Sequence, residues 1–140
     1  DEIRVVVAAG HRWARRRTVP LEALTGERFL AREAGSGTRA VATATLADAG
    51  VELDPALEVS SSEVLKRAVL AGGFTLVSER VVAAEIAAGT LAAIPVSGVD
   101  LRRSLRAVRR ARPALQGPAR AFWLWLGRNV APQGTGQSGG

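Results

Sequence analysis

The chain has 140 residues, 47% of them hydrophobic, and a net charge of +6 carried by 18 arginines and one lysine, Lys66. That length fits one domain or two small lobes, and the alanine-heavy apolar content points to a thin, helix-rich core. The absence of cysteine excludes a disulfide framework and a thiolate metal site, and no run of about 20 apolar residues offers a membrane-spanning helix.

Residues 2–9 are short, β-branched and closed by Gly10, the pattern of a buried strand. Residues 11–19 form a basic loop. Pro20 then opens a short helical turn that Gly26 closes. Residues 28–32 are a second strand, followed by the run Arg32-Glu33-Ala34-Gly35-Ser36-Gly37-Thr38-Arg39. Ser36 caps a helix reaching about Ala49, with Val41, Thr45, Leu46 and Ala49 on one face and Gly50 as its stop. Residues 56–60 form a third strand. Ser60 and Glu63 have capping-box spacing, which starts the next helix at Ser60, with Ser61 as the alternative cap. Leu65, Ala68 and Val69 make its buried stripe, and Gly72-Gly73 ends it. Residues 74–78 are a fourth strand. Ser78 caps a helix over 79–88, and residues 91–96 are a fifth strand. Strands alternating with helices predict an α/β layer structure.

Two readings fit residues 101–112. Leu101, Leu105 and Val108 make one face of a basic amphipathic helix, and the same residues allow a short strand over 105–108. Pro118 opens a firmer helix bearing Phe122, Trp123, Trp125 and Leu126, whereas residues 129–140 have the composition of a disordered tail.

A strand that runs through a Gly/Ser/Thr loop into a helix aims free N–H groups and hydroxyls at one point, which suits a carboxylate, phosphate or sulfate. Ser36, Gly37, Thr38 and Arg39 are therefore the leading ligand candidates. Ser60, Ser61 and Ser62 are a second candidate wall, at a strand end where open α/β sheets place ligands. Ordinary helix capping by one serine accounts for the same residues without a ligand. Metal or acid–base chemistry needs a constellation, and His11 is the only histidine. Nothing fixes the separation of Glu33 and Glu63. Gly35-Ser36-Gly37 lacks the spacing of a hydrolase nucleophile elbow, and the loop lacks the lysine of a P-loop. No catalytic residue, metal or cofactor is expected.

Taken in order, the pieces resemble a known family. The series begins with a strand ending in His11, Leu21-Glu-Ala-Leu24 and Arg32-Glu-Ala-Gly-Ser-Gly-Thr-Arg39. It continues with Ser61-Ser-Glu-Val-Leu-Lys-Arg-Ala-Val69, Ala71-Gly-Gly-Phe-Thr-Leu-Val-Ser-Glu79 and Gly89-Thr-Leu-Ala-Ala-Ile-Pro95, and closes with Arg120-Ala-Phe-Trp-Leu-Trp-Leu126. It is similar to the effector-binding domain of LysR-type transcriptional regulators over residues 1 to about 128.

The resemblance implies a fold like type II periplasmic binding proteins, in which two α/β lobes flank a ligand cleft. On that basis residues 1–10 are a crossing strand from the first lobe and 11–98 are the second lobe. Residues 99–128 bring back a return strand, at 105–108 and near Ile3 to Val7, and the C-terminal helix. The winged helix-turn-helix and the opening of the first lobe would lie outside this chain. The implied function is the binding of a small effector, an organic acid or inorganic anion, in a homodimer or higher oligomer with the helix after Ser36 and the strand near Val59 as contacts. DNA would be read only by the missing domain. A cytoplasmic location and no membrane partner are expected, since no signal-peptide pattern opens the chain. Two departures stand out: the family's usual Gly-x-Gly before the fourth strand is an adjacent Gly72-Gly73, and Arg12 replaces a common proline. The alternatives are a solute-binding protein of an uptake system and a nucleic-acid-binding module using Arg12 to Arg17 and Arg102 to Arg112.

Overall fold

A computed structural model describes residues 1–112 and 114–130. The chain divides into two compact units, Asp1–Leu105 and Arg106–Gly140.

The first unit is built on β1 (Ile3–Ala8), the central strand of an antiparallel sheet. β5 (Phe74–Ser78) pairs along one edge, with Ile3 opposite Ser78 and Val7 opposite Phe74. β6 (Leu91–Ile94) pairs along the other, with Val5 opposite Ile94. A strand flanked on both edges and covered on both faces must be apolar on both, which is why residues 5–7 read as an unbroken valine run. Its alternating side chains feed two cores. Ile3, Val5 and Val7 join Trp13, Leu24, Phe29, Leu46 and Phe74 in one, whereas Val6 joins Leu30, Leu65, Val69, Val77 and Val82 in the other.

Two parallel pairs complete the unit. β2 (Val19–Pro20) lies beside β7 (Val96–Ser97), and β3 (Leu30–Arg32) beside β4 (Leu57–Val59). The expected turn after Pro20 is a 3-10 helix over Leu21–Gly26. α1 (Gly37–Asp48) and α2 (Ser62–Leu70) follow β3 and β4. The expected helix over 79–88 starts as a 3-10 turn, Glu79–Val82, and becomes α3 (Ala83–Ala87). Up to residue 97 the elements expected from sequence are thus found in order, and the α/β class is borne out.

Three expectations need correction. α1 buries Ala42 and Leu46, while Val41 lies 38% exposed, so the packed stripe is rotated one residue from the one anticipated. α2 is capped by Ser61 and not by Ser60. No strand occupies residues 105–108, where Leu105 and Val108 are exposed; the returning chain meets β1 earlier, at Arg102 opposite Glu2. The physical reason is the length of β6: its pairing with β1 ends at Val5, and the main chain of residues 101–103 takes over that edge with Ile3 N–H to Leu101 O at 3.1 Å and Arg103 N–H to Asp1 O at 2.8 Å.

Thr75 stands opposite Val6 inside the second core, 2% exposed, and its hydroxyl has no hydrogen-bond partner among the described residues. An unsatisfied buried hydroxyl costs roughly 1–3 kcal/mol. Thr75→Val is expected to raise stability by about 1 kcal/mol in urea denaturation, since the added methyl must still be accommodated; a loss of stability would show that the hydroxyl is satisfied in solution.

In the second unit, α4 (Gly117–Asn129) carries Pro118 in its first turn, as expected. Phe122 stacks on Trp125 at 6.1 Å, and the Arg109 guanidinium lies 5.4 Å from the Trp123 ring centre. Of the expected tail, Asn129 closes α4, and residues 131–140 lie outside the described residues.

Candidate functional site: the carboxyl ends of the parallel pair

β3 and β4 run in the same direction, so both end on the same side of the fold, and both continue through a short loop into a helix. Their register places Arg32 opposite Val59, and the Glu33 amide donates to Val59 O at 3.0 Å. The first turns of α1 and α2 therefore open near the same strand ends. Each has a serine cap: Ser36 Oγ accepts from the Arg39 amide and Ser61 Oγ from the Val64 amide, both at 3.4 Å. One cap satisfies one of the orphan amides of a first turn. Gly37 and Thr38 on α1, and Ser62 and Glu63 on α2, have amides with no acceptor inside their own helix. Two helix N-termini with spare donors make a positive, hydrogen-bonding surface that suits an anion.

Arg32 joins the two halves. Its Nη1 donates to Ser62 Oγ at 2.7 Å, while Nε and Nη2 grip the Glu33 carboxylate, both at 2.8 Å. That grip holds the Glu33 carboxyl below the usual carboxylate range. The backbone carbonyl of Arg32 accepts from Arg39 Nη1 at 2.7 Å, and the same nitrogen donates to Glu58 Oε2 at 2.6 Å. Arg39 is thus committed to β3 and β4 and does not project as a free cation. With Arg32 on Glu33 and Arg39 on Glu58, both guanidinium charges are locally balanced. The donors available to an incoming acid group are main-chain amides and hydroxyls.

Thr38 is drawn to a third segment. Its Oγ1 accepts from Arg103 Nη1 at 2.9 Å. Arg103 also binds the Asp1 carboxylate through Nε and Nη2, each at 2.7 Å, and the other Asp1 oxygen accepts from Ser78 Oγ at 2.6 Å. Next to it, Arg102 holds the Asp100 carboxyl at about 2. No group of three or more His, Cys, Asp or Glu side chains among the described residues could hold a metal ion.

The structure thus ties Ser62, from the second expected wall, to Arg39, from the first, through Arg32, whereas Thr38 bonds separately to Arg103. Ser36 and Ser61 act as caps, Gly37 contributes main chain, and Ser60 is exposed. Sequence reasoning missed Arg32 and Arg103 as members. Arg32 heads the Gly/Ser run as the last residue of its strand, a position that could have flagged it. Arg103 is 65 residues from Thr38, and no local pattern announces the contact.

Among the described residues no helix is long and apolar enough to cross a membrane. An uncharacterized HTH-type transcriptional regulator of Mycobacterium tuberculosis is 41% identical over 114 residues, covering 77% of this chain and 36% of that protein. The HTH-type transcriptional regulator CbbR of Rhodospirillum rubrum is 37% identical over 123 residues, covering 87% of this chain and 41% of that protein. The chain therefore spans about two fifths of the length of these relatives. The CcmR regulatory domain of Synechocystis PCC6803, solved in complex with 2-PG, superposes with a TM-score of 0.75 at 25% identity, over 89% of this chain and 61% of that one. The LysR substrate binding domain family matches residues 1–131. With the strand–loop–helix frame in place and the match running through nearly all of its length, the chain belongs to the LysR substrate binding domain family and has its type II periplasmic-binding-protein-like α/β fold.

Proposed function

We propose that this chain is the effector-binding regulatory domain of a DNA-binding transcriptional regulator, and that its effector is a small organic acid or inorganic anion held at the ends of β3 and β4. The observation that carries this reading is the pair of helix N-termini, with spare amides at Gly37, Thr38, Ser62 and Glu63, tied together by Arg32. These two relatives are HTH-type regulators, which favours a regulator over an uptake protein or a direct nucleic-acid binder. The neighbour solved with 2-PG supports a small ligand for this fold. The match to the LysR substrate binding domain family and to HTH-type regulators favours reception over catalysis.

Ligand binding acts by stabilising one arrangement of the regulator over another, and its leverage equals its differential affinity for the two. DNA contact belongs to a domain outside this chain, the protein works in the cytoplasm, and the domains associate as homodimers or higher oligomers. The partly exposed α1 residue Val41 and the exposed strand β4 supply a contact face.

Isothermal titration of the chain with 2-PG, inorganic phosphate and sulfate tests the reading. At least one should bind with saturable heat, and Ser62→Ala and Thr38→Val should each weaken it about tenfold, the equivalent of one charge-assisted hydrogen bond. Binding unaffected by both substitutions would refute the placement.

A further inference from the structure

Arg103 approaches the site from the segment that returns to β1, and its charge is already engaged. Nε and Nη2 face the Asp1 carboxylate, which is only 3% exposed and is held from the other side by Ser78. The one remaining contact of the guanidinium is Nη1 on Thr38 Oγ1 at 2.9 Å. A hydroxyl has one proton to give and two lone pairs to receive. With Arg103 donating into a lone pair, the Thr38 proton must point elsewhere, and among the described residues the hydroxyl has no acceptor of its own. Thr38 sits in the first turn of α1, beside amides that can only donate.

We propose that Arg103 is a positioning residue of the effector site, which fixes the Thr38 hydroxyl as a hydrogen-bond donor and so makes the site favour an anion that presents acceptor oxygens, such as carboxylate or phosphate. Asp1 and Ser78 hold the guanidinium at the required angle. The side chain acts through Thr38, its one contact with the first turn of α1. The same contact ties the first turn of α1 to the two paired segments at Asp1–Glu2 and residues 101–103, so the polarity of the hydroxyl depends on those segments staying in register. This inference rests on the effector-binding reading above.

The test is a double-mutant cycle on the 140-residue chain, read as the Kd for inorganic phosphate at constant ionic strength. Arg103→Met should weaken phosphate binding about tenfold. Arg103→Gln, which keeps an N–H donor for Thr38 without the charge, should stay within about threefold of wild type. On a Thr38→Val background, Arg103→Met should cost less than about twofold further, because the group it acts through is gone. Removing Arg103 leaves a buried carboxylate unpaired, so each Arg103 variant is also made with Asp1→Asn, which keeps the fold free of an uncompensated charge. A merely structural role would lower thermal stability equally in all backgrounds and leave the Kd unmoved. Equal losses in the Gln and Met variants, persisting in Thr38→Val, would overturn the assignment in favour of a plain charge effect. A wild-type chain that takes up no phosphate, sulfate or 2-PG would refute the underlying reading. Intact wild-type binding that ignores Arg103→Met would refute Arg103 alone.

Discussion

Trp13→Ala is expected to lower stability by about 3–5 kcal/mol, the range for emptying a large aromatic site in a core. The indole is 1% exposed. It meets the Phe74 ring edge-on at 5.5 Å and the His11 imidazole at 5.0 Å, and the Arg12 guanidinium covers it at 5.3 Å. His11 is itself fixed. Its Nδ1 accepts from the Trp13 amide at 3.2 Å, and Nε2 lies 3.3 Å from Glu27. Burial works against ionisation of Glu27, but hydrogen bonds from the Arg28 amide and Arg12, with the charges of His11 and Arg12, outweigh it and leave its carboxyl below the usual range. A domain with a total stability of about 5–15 kcal/mol cannot absorb such a loss easily. Thermal unfolding should shift down by about 10 °C or more. An unchanged midpoint would mean that Trp13 does not sit in the core.

The second large effect is at the turn before β5. Gly72 and Gly73 both have positive φ, +121° and +92°. Space separates them: a Cβ on Gly72 meets nothing within 4 Å, whereas one on Gly73 would lie 2.5 Å from the carbonyl oxygen of Arg28. That oxygen accepts the Phe74 amide at 2.9 Å and locks the strand start in place. Gly72→Ala should cost about 1–3 kcal/mol for the backbone conformation alone. Gly73→Ala carries the same strain, must also push the Arg28 carbonyl away, and gives up a buried hydrogen bond worth about 1 kcal/mol. It should therefore be clearly the worse of the two in urea denaturation. Equal losses would indicate that the Arg28 main chain can move freely.

These two sites show where the sequence was legible and where it was not. β1, β5 and both helices at the candidate site were readable because their apolar periods and serine caps are local signals. The family resemblance added the layer order. Trp13 was hidden because it lies in a stretch with Arg12 and Arg15 to Arg17, and such a charge run reads as a solvated loop. Its burial depends on Phe74, 61 positions further on, which no local window contains. The adjacent glycines depart from the family's Gly-x-Gly, and the close approach of Arg28 explains why the second of them can hold no side chain. The cap at Ser61 in place of Ser60 was a one-residue ambiguity within three consecutive serines. The return pairing at Arg102, and not at 105–108, was set by where β6 runs out along β1.

The candidate site follows the same division. Ser36 to Arg39 and Ser60 to Ser62 were visible as strand-to-helix passages. What they become depends on the parallel pairing of β3 with β4, which turns two separate loops into neighbours. Arg39 illustrates the limit of sequence reading: a cation beside a donor-rich loop suggests a ligand contact, and the fold spends it on Glu58 and the Arg32 carbonyl.

If the first turns of α1 and α2 receive one anion between them, as proposed, the backbone amide resonances of the chain should respond to titration with 2-PG and, separately, inorganic phosphate. Saturable shifts with a common Kd are expected, largest at Gly37, Thr38, Ser62 and Glu63. Shifts confined to the exposed arginines of residues 102–112, or spread evenly with no saturation, would contradict the proposal.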